Sequence, residues 1–264
     1  MNFVDQVKRP LQLPKVPKRI ISLVPSHTEL LCQLGMQDQL VGLTKFCVHP
    51  STLKSQKTIV GGTKTIHLEK IKKLRPDLIL CNKEENTKAI VKSCETIAPV
   101  YVSDIISLDS NIEFIQAMGI LLEKEKNAQH IIEKISQKQK EFIRFIRSKK
   151  QQRVAYFIWR KPWMVAGGNT FIDTLLQLNN YHNVFGHKDR YPEIDPDDLA
   201  SKDLDLILLS SEPYPFKKQH EKELQKYSSA TIIQVDGEAF SWHGSYLIKA
   251  LEYFKTLHKK KATP

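Results

Sequence analysis

No run in this chain reaches the ~18–20 apolar residues needed to cross a bilayer, which excludes a helical membrane span. The opening Met-Asn-Phe-Val-Asp-Gln-Val-Lys-Arg-Pro has neither the apolar h-region nor the cleavage site of a secretory leader, so none is legible there. The four cysteines, Cys32, Cys47, Cys81 and Cys94, form no C-x-x-C pair, and in 264 residues a disulfide framework is not expected. Free buried thiols are. Val60-Gly61-Gly62-Thr63-Lys64 does not fit G-x-x-x-x-G-K-[ST], so nucleotide binding has no support. Behind the net charge of +11 there is no arginine-aromatic cluster and no nucleic-acid module. Its lysines are scattered over the expected helices and the tail Lys259-Lys260-Lys261, which reads as a solvated surface, and no nucleic-acid partner is expected. No compact nucleophile-base-acid set can be placed, which favours binding over catalysis.

What is present begins with an uninterrupted amphipathic stretch. Over Lys124–Ser148 the residues Ala128, Ile131, Ile132, Ile135, Phe142, Phe145 and Ile146 fall on one helical stripe, with Glu125, Lys134, Gln137, Lys138, Glu141 and Arg144 elsewhere. With no Gly or Pro to break it, such a helix is roughly 37 Å long, enough to act as a strut.

The flanks of the strut look like copies of one another. Arg19–Leu23, Leu74–Leu80 and Val100–Asp104 precede it; Arg153–Phe157, Asp203–Leu209 and Ile232–Asp236 follow in the same order. Each holds a short apolar or β-branched run suited to a strand buried on both faces, separated from the next by helical or turn-rich sequence. A duplicated α/β lobe accounts for the matching order. The organisation is therefore an N-terminal α/β lobe over 1–107, a connecting helical segment over 108–150 that carries the backbone helix, and a C-terminal α/β lobe over 151–264.

Within the first lobe, Pro10, Pro14 and Pro17 predict an extended arm over 5–17. Ser26 with Glu29 three residues on predicts a capping box at the next helix. Loops leaving the carboxyl ends of parallel strands face the ligand in open α/β sheets. That rule collects His27, Phe46, Cys47, His49, Thr63, Lys64 and Lys83 from the first lobe, and Trp159, Arg160, Trp163, Tyr214, Trp242 and His243 from the second. The set is aromatic and histidine-rich, fit to pack a large planar or apolar ligand. His27, Cys47, His49 and His243 are candidate metal ligands, yet Cys47 and His49 alone do not close a site that normally needs three or four donors.

Arg19-Ile20-Ile21-Ser22-Leu23-Val24-Pro25-Ser26-x-Thr28-Glu29 with Leu34-Gly35, then Val41-Gly42, Leu68-Glu69-Lys70-Ile71 and Arg75-Pro76-Asp77-Leu78-Ile79 resemble the substrate-binding proteins of cobalamin and iron-siderophore ABC importers, the class III periplasmic binding proteins. The resemblance runs from about Val4 to Phe254 and implies two Rossmann-like lobes joined by one long rigid helix. It also implies a non-enzymatic receptor that holds a corrinoid, haem or ferric siderophore in the crevice between the lobes and hands it to an importer permease. Glu69 and Asp197 align with the family's importer-docking carboxylates. A tryptophan of the cobalamin binders aligns with Thr63, a departure that counts against cobalamin itself. The resemblance places the chain at the periplasm or cell envelope, while the absent leader leaves the cytoplasm open. In that case a metal-handling enzyme or chaperone of chelatase-like architecture is the alternative. No cofactor is expected, and nothing in the architecture calls for a partner chain, so a monomer is.

Overall fold

Apolar runs that alternate with helices pair as parallel strands buried on both faces, because each crossover helix covers the sheet it leaves. A computed structural model describes residues 2–260, with the side chain of Lys260 excepted, so Met1 and, of the Lys259-Lys260-Lys261 tail, Lys261 lie outside the described residues. The described chain divides into two compact units. One takes the N-terminal stretch through Ile105, Asp109–Ser136 and the short His243–Tyr246; the other takes Ile106–Leu108, Gln137–Trp242 and the chain from Leu247 on.

The first unit opens with β1 (Asn2–Val4) and β2 (Pro10–Gln12), then β3 (Ile20–Ser22), α1 (Pro25–Gln33), β4 (Leu40–Leu43), α2 (Leu53–Gln56), β5 (Thr58–Ile59), α3 (Leu68–Lys73), β6 (Leu78–Asn82), α4 (Lys88–Glu95) and β7 (Val100–Ser103). Its sheet is parallel, in the order β5-β4-β3-β6-β7. The arm expected over 5–17 has no helix and is extended at β2, which pairs antiparallel with β1; this hairpin is pinned to β7 where Asp5 Oδ2 accepts from Val102 N–H at 3.2 Å and Arg9 donates to the Val100 carbonyl at 2.9 Å. The capping box does not form. Val24 is the N-cap of α1, Pro25 takes the first helical position, and the Ser26 hydroxyl lies 3.2 Å from His243 Nδ1.

Next come α5 (Leu108–Leu121) and the strut α6 (Glu125–Ile146), its ends a residue or two inside the expected helix. Gly119 of α5 meets α6 closely, since a Cβ there would stand 2.6 Å from Ala128 Cβ. The apolar stripe is the covered face: Ala128, Ile131, Ile135, Phe142 and Ile146 are all buried. α6 belongs to the first unit as far as Ser136 and to the second from Gln137.

The second unit continues with β8 (Gln152–Trp159), β9 (Met164–Val165), α7 (Phe171–Leu178), β10 (Tyr181–Asn183), a 3-10 turn at Pro196–Ser201, β11 (Leu206–Ser210), α8 (Lys218–Leu224), β12 (Thr231–Val235), α9 (Gly237–Ser241) and, past the 3-10 turn Gly244–Tyr246, α10 (Leu247–Lys260). The strands β10-β8-β11-β12 are parallel, with β9 antiparallel on β8. α10 packs on the second half of the strut through Phe142–Phe254 rings 5.9 Å apart and a Lys138–Glu252 ion pair of 2.7 Å.

The duplication is visible as one device used twice. In the first unit Arg19 N–H donates to Asp77 Oδ1 at 2.8 Å while its guanidinium donates to the carbonyls of Leu74 and Arg75. In the second, Arg153 N–H donates to Asp205 Oδ2 at 2.7 Å while its guanidinium donates to the carbonyls of Lys202 and Asp203. Arg75 and Asp203, at the same point of the two turns, both take a left-handed backbone, φ 44° and 48°. Each device locks the earliest strand of its unit's five-stranded sheet to a neighbour that follows in the chain, Ile20 against Leu78 and Val154 against Leu206.

Candidate ligand-binding site

In the second unit the carboxyl ends of β8 and β11 carry a packed aromatic cluster. Trp159 ends β8 and keeps 39% of its surface exposed. Tyr214, in the loop after β11, meets it edge-on at 5.5 Å and packs on Phe216 at 4.8 Å. Trp163 stacks on Phe216 at 6.2 Å with an 8° interplanar angle and takes the Arg160 guanidinium over its face at 5.3 Å. The same guanidinium grips Glu223 with two hydrogen bonds of 2.7 and 2.9 Å, which raise the Arg160 pKa and lower that of Glu223. His220 completes the set, with Nε2 3.2 Å from Tyr214 Oη. Of the expected residues, Trp159, Arg160, Trp163 and Tyr214 are thus brought together. Phe216, His220 and Glu223 are additions. Phe216 carried a sequence signal, lying two residues past Tyr214 in the same loop; His220 and Glu223 carried none. Trp242 is elsewhere: it is buried, and its indole N–H donates to Glu212 Oε1 at 2.9 Å.

The first unit offers a sparser edge. Phe46 follows β4 with 48% of its surface exposed, the Lys45 ammonium 5.0 Å from its ring and Gly62 leaving it room, since a Cβ there would come 3.1 Å from the ring. Thr63 is buried and its carbonyl accepts from Asn86 Nδ2 at 2.9 Å. Lys64 is exposed and donates to the Glu84 carbonyl; Lys83 pairs with Asp104 at 2.5 Å. The His49 ring lies 5.7 Å from that of Tyr246.

Three expected residues, His27 and Cys47 from this edge and His243 from the second-lobe set, turn inward. His27 is fully enclosed, its Nε2 3.0 Å from Ser103 Oγ, its ring 4.5 Å from Phe114 and 5.0 Å from His243, and its Nδ1 without a hydrogen-bond partner. Burial lowers the pKa of His27 well below the usual histidine value, with His243 adding to it, and brings that of His243 to about 3, so both rings are neutral. Cys47 is enclosed beside the hydroxyls of Thr28 at 3.1 Å and Thr44 at 3.3 Å, and burial raises its pKa, which opposes the thiolate a soft metal needs. Among the described residues no group of three or more His, Cys, Asp and Glu side chains is placed to hold a metal ion.

Glu69 and Asp197 stand at corresponding points of the repeat, each on the helical turn before the second strand of its device. Both are exposed. Glu69 pairs with Lys72 at 2.8 Å, which lowers its pKa, and Asp195 rather than Asp197 caps its turn. A separate depression of about 410 Å³ lies between β2 and Glu95–Val100, at the amino end of β7 and so away from these loops.

A family model described as "Periplasmic binding protein" matches residues 20–230. An uncharacterised ABC transporter substrate-binding lipoprotein of Bacillus subtilis is 22% identical over 94% of this chain and 82% of its own length. The vitamin B12-binding protein of Yersinia pestis is 24% identical over 76% of this chain and 72% of its own. A solved periplasmic haem-binding protein from Pseudomonas aeruginosa superposes with a TM-score of 0.78 at 21% identity, covering 94% of this chain and 95% of that one, which shows a common fold.

Proposed function

Because this chain belongs to the periplasmic binding protein family, we propose that it is a receptor which captures a metal chelate (a corrinoid, haem or ferric siderophore) and delivers it to an ABC importer. The observation that carries the ligand class is the Trp159 ring. A large aromatic surface left uncovered on a rigid, packed cluster is a platform for a flat or apolar ligand. Within the second unit, the loops at the carboxyl ends of the strands supply Trp159, Trp163 and Tyr214 as its contacts. The relatives that match are binding proteins, and the chelatase-like alternative is set aside on that ground. Their descriptions also support a place of action at the cell envelope.

Melting temperature and absorption spectra, recorded with cyanocobalamin, haemin and a ferric siderophore, test the reading. The true ligand raises the melting temperature at micromolar concentration, because it binds the folded state alone. Trp159→Ala is expected to weaken that ligand by on the order of tenfold to a hundredfold, as loss of an aromatic anchor does, with the free protein still folded and melting in one transition at a somewhat lower temperature. No shift with any chelate sinks the proposal.

Glu69 and Asp197 are proposed as the docking carboxylates, one per unit, for basic groups of the permease. With the permease and its ATPase in liposomes, Glu69→Ala/Asp197→Ala should bind ligand normally and lose most of the stimulation of ATP hydrolysis. Full stimulation by the double variant sinks this assignment.

A further inference from the structure

The Tyr214 ring meets the Trp159 platform and its hydroxyl lies beside His220, whose own partners fix where the hydroxyl proton points. Lys217 N–H donates to His220 Nδ1 at 2.8 Å, so that nitrogen carries a lone pair. Burial, with the Arg160 cation beside it, keeps the pKa of His220 below the usual histidine value and the ring neutral. A neutral imidazole that accepts at Nδ1 holds its hydrogen on Nε2. His220 Nε2–H therefore donates to Tyr214 Oη, 3.2 Å away. The Gln219 amide, also 3.2 Å from Nε2, then turns its oxygen rather than its nitrogen to that hydrogen. With its oxygen accepting from His220, the hydroxyl has its own hydrogen left to give. A donor on that oxygen polarises its O–H and makes it a stronger donor. The ring, meanwhile, is held edge-on to Trp159 at 5.5 Å, so donor and platform keep one geometry.

We propose that Tyr214 Oη–H is a ligand-binding donor, set by His220 as a positioning residue, and that it takes an anionic oxygen, carboxylate or phenolate, at the rim of a flat chelate laid on Trp159. This rests on the chelate-receptor reading above and narrows it. The site is built for a ligand that is aromatic or conjugated on its face and anionic at its edge. A chelate whose edge carries only neutral amides gains less from the same donor, because hydrogen bonds to charged acceptors are the stronger ones.

Affinities of wild type, Tyr214→Phe, His220→Gln and the double variant are measured by tryptophan fluorescence quenching with haemin, a ferric tricatecholate and cyanocobalamin, alongside melting temperatures. Tyr214→Phe keeps the ring and its packing and removes only the hydroxyl. It is expected to lose about tenfold in affinity for the anionic chelate that wild type binds, with melting unchanged. His220→Gln should lose affinity in the wild-type background and nothing further in the Tyr214→Phe background, since it acts through that hydroxyl. Binding by Tyr214→Phe as tight as wild type overturns the donor. An equal His220→Gln loss in both backgrounds overturns the positioning role, and in each of these cases the receptor reading stands. Tightest binding of cyanocobalamin by wild type, undiminished in Tyr214→Phe, overturns the anionic-edge assignment. Failure of wild type to bind all three overturns the receptor reading and this proposal with it.

Discussion

Between pH 7.5 and pH 5 this protein is expected to lose on the order of 2–4 kcal/mol of folding stability to two histidines. His27 and His243 are enclosed in the first unit with their rings 5.0 Å apart, held neutral there chiefly by burial. Folding depresses both pKa values, so the stability they contribute is whole above the unfolded value near 6.5 and declines as the pH falls below it. The decline follows from the unfolded chain taking up protons that the folded chain refuses, about 1.4 kcal/mol per pH unit for each ring. For His243 it continues down to about pH 3. The groups packed around the pair, Ser26, Ser103 and Phe114, carry no charge to offset a proton; the nearby Glu29 carboxylate already accepts from the Ser245 hydroxyl. Urea unfolding at pH 7.5, 6 and 5 measures the slope, and His243→Gln should flatten it by about the share of one ring. An identical slope in wild type and variant refutes this account.

Gly61→Ala should cost roughly 2–4 kcal/mol, a strained backbone adding to a steric clash. Gly61 has φ +124°, which L side chains rarely adopt, and a Cβ there would lie 2.5 Å from the Thr65 carbonyl and 2.8 Å from Ile66 Cα. Both obstacles are backbone, so neither can swing away. The turn they form carries Thr63 and Lys64, and the Gly61 carbonyl accepts from Lys45 N–H at 2.8 Å, next to Phe46. Ligand affinity should therefore fall with stability. Gly62→Ala is the milder control, since its Cβ would meet the rim of the half-exposed Phe46 ring at 3.1 Å. Equal urea midpoints for Gly61→Ala and wild type would show that the turn relaxes freely.

Strands buried on both faces were readable because burial on two sides leaves a continuous apolar run; β3, β6 and β11 are buried at every position. β10, a polar-looking Tyr-His-Asn at the sheet edge, carries no such signal. The capping box at Ser26 failed for a non-local reason. Its hydroxyl is occupied by His243, 217 residues away, and no local pattern announces that partner. The same holds for the site. Trp159, Arg160, Trp163 and Tyr214 were legible through the rule that loops at carboxyl strand ends face the ligand, whereas His220 and Glu223 sit on α8 and join only through packing. His27 and Cys47 were read by their chemistry, but their enclosure by Ser103, Phe114, Thr28 and Thr44 depends on tertiary structure.

The four residues His243–Tyr246 carry a consequence for synthesis. Gly244, at φ +75°, packs where a Cβ would stand 3.3 Å from Leu30 Cβ, and its N–H donates to Asn111 Oδ1 at 2.5 Å. Ser245 adds its hydrogen bond to Glu29. These contacts finish the first unit with residues that the ribosome makes more than a hundred positions after Ser136, the end of that unit's preceding segment. Domains ordinarily fold as units in the order they emerge, N-terminal first. Here the N-terminal unit lacks one of its own parts until synthesis has passed Gln137–Trp242 of the other unit, so a product truncated or stalled before His243 leaves α1 without its covering and has no finished unit in it.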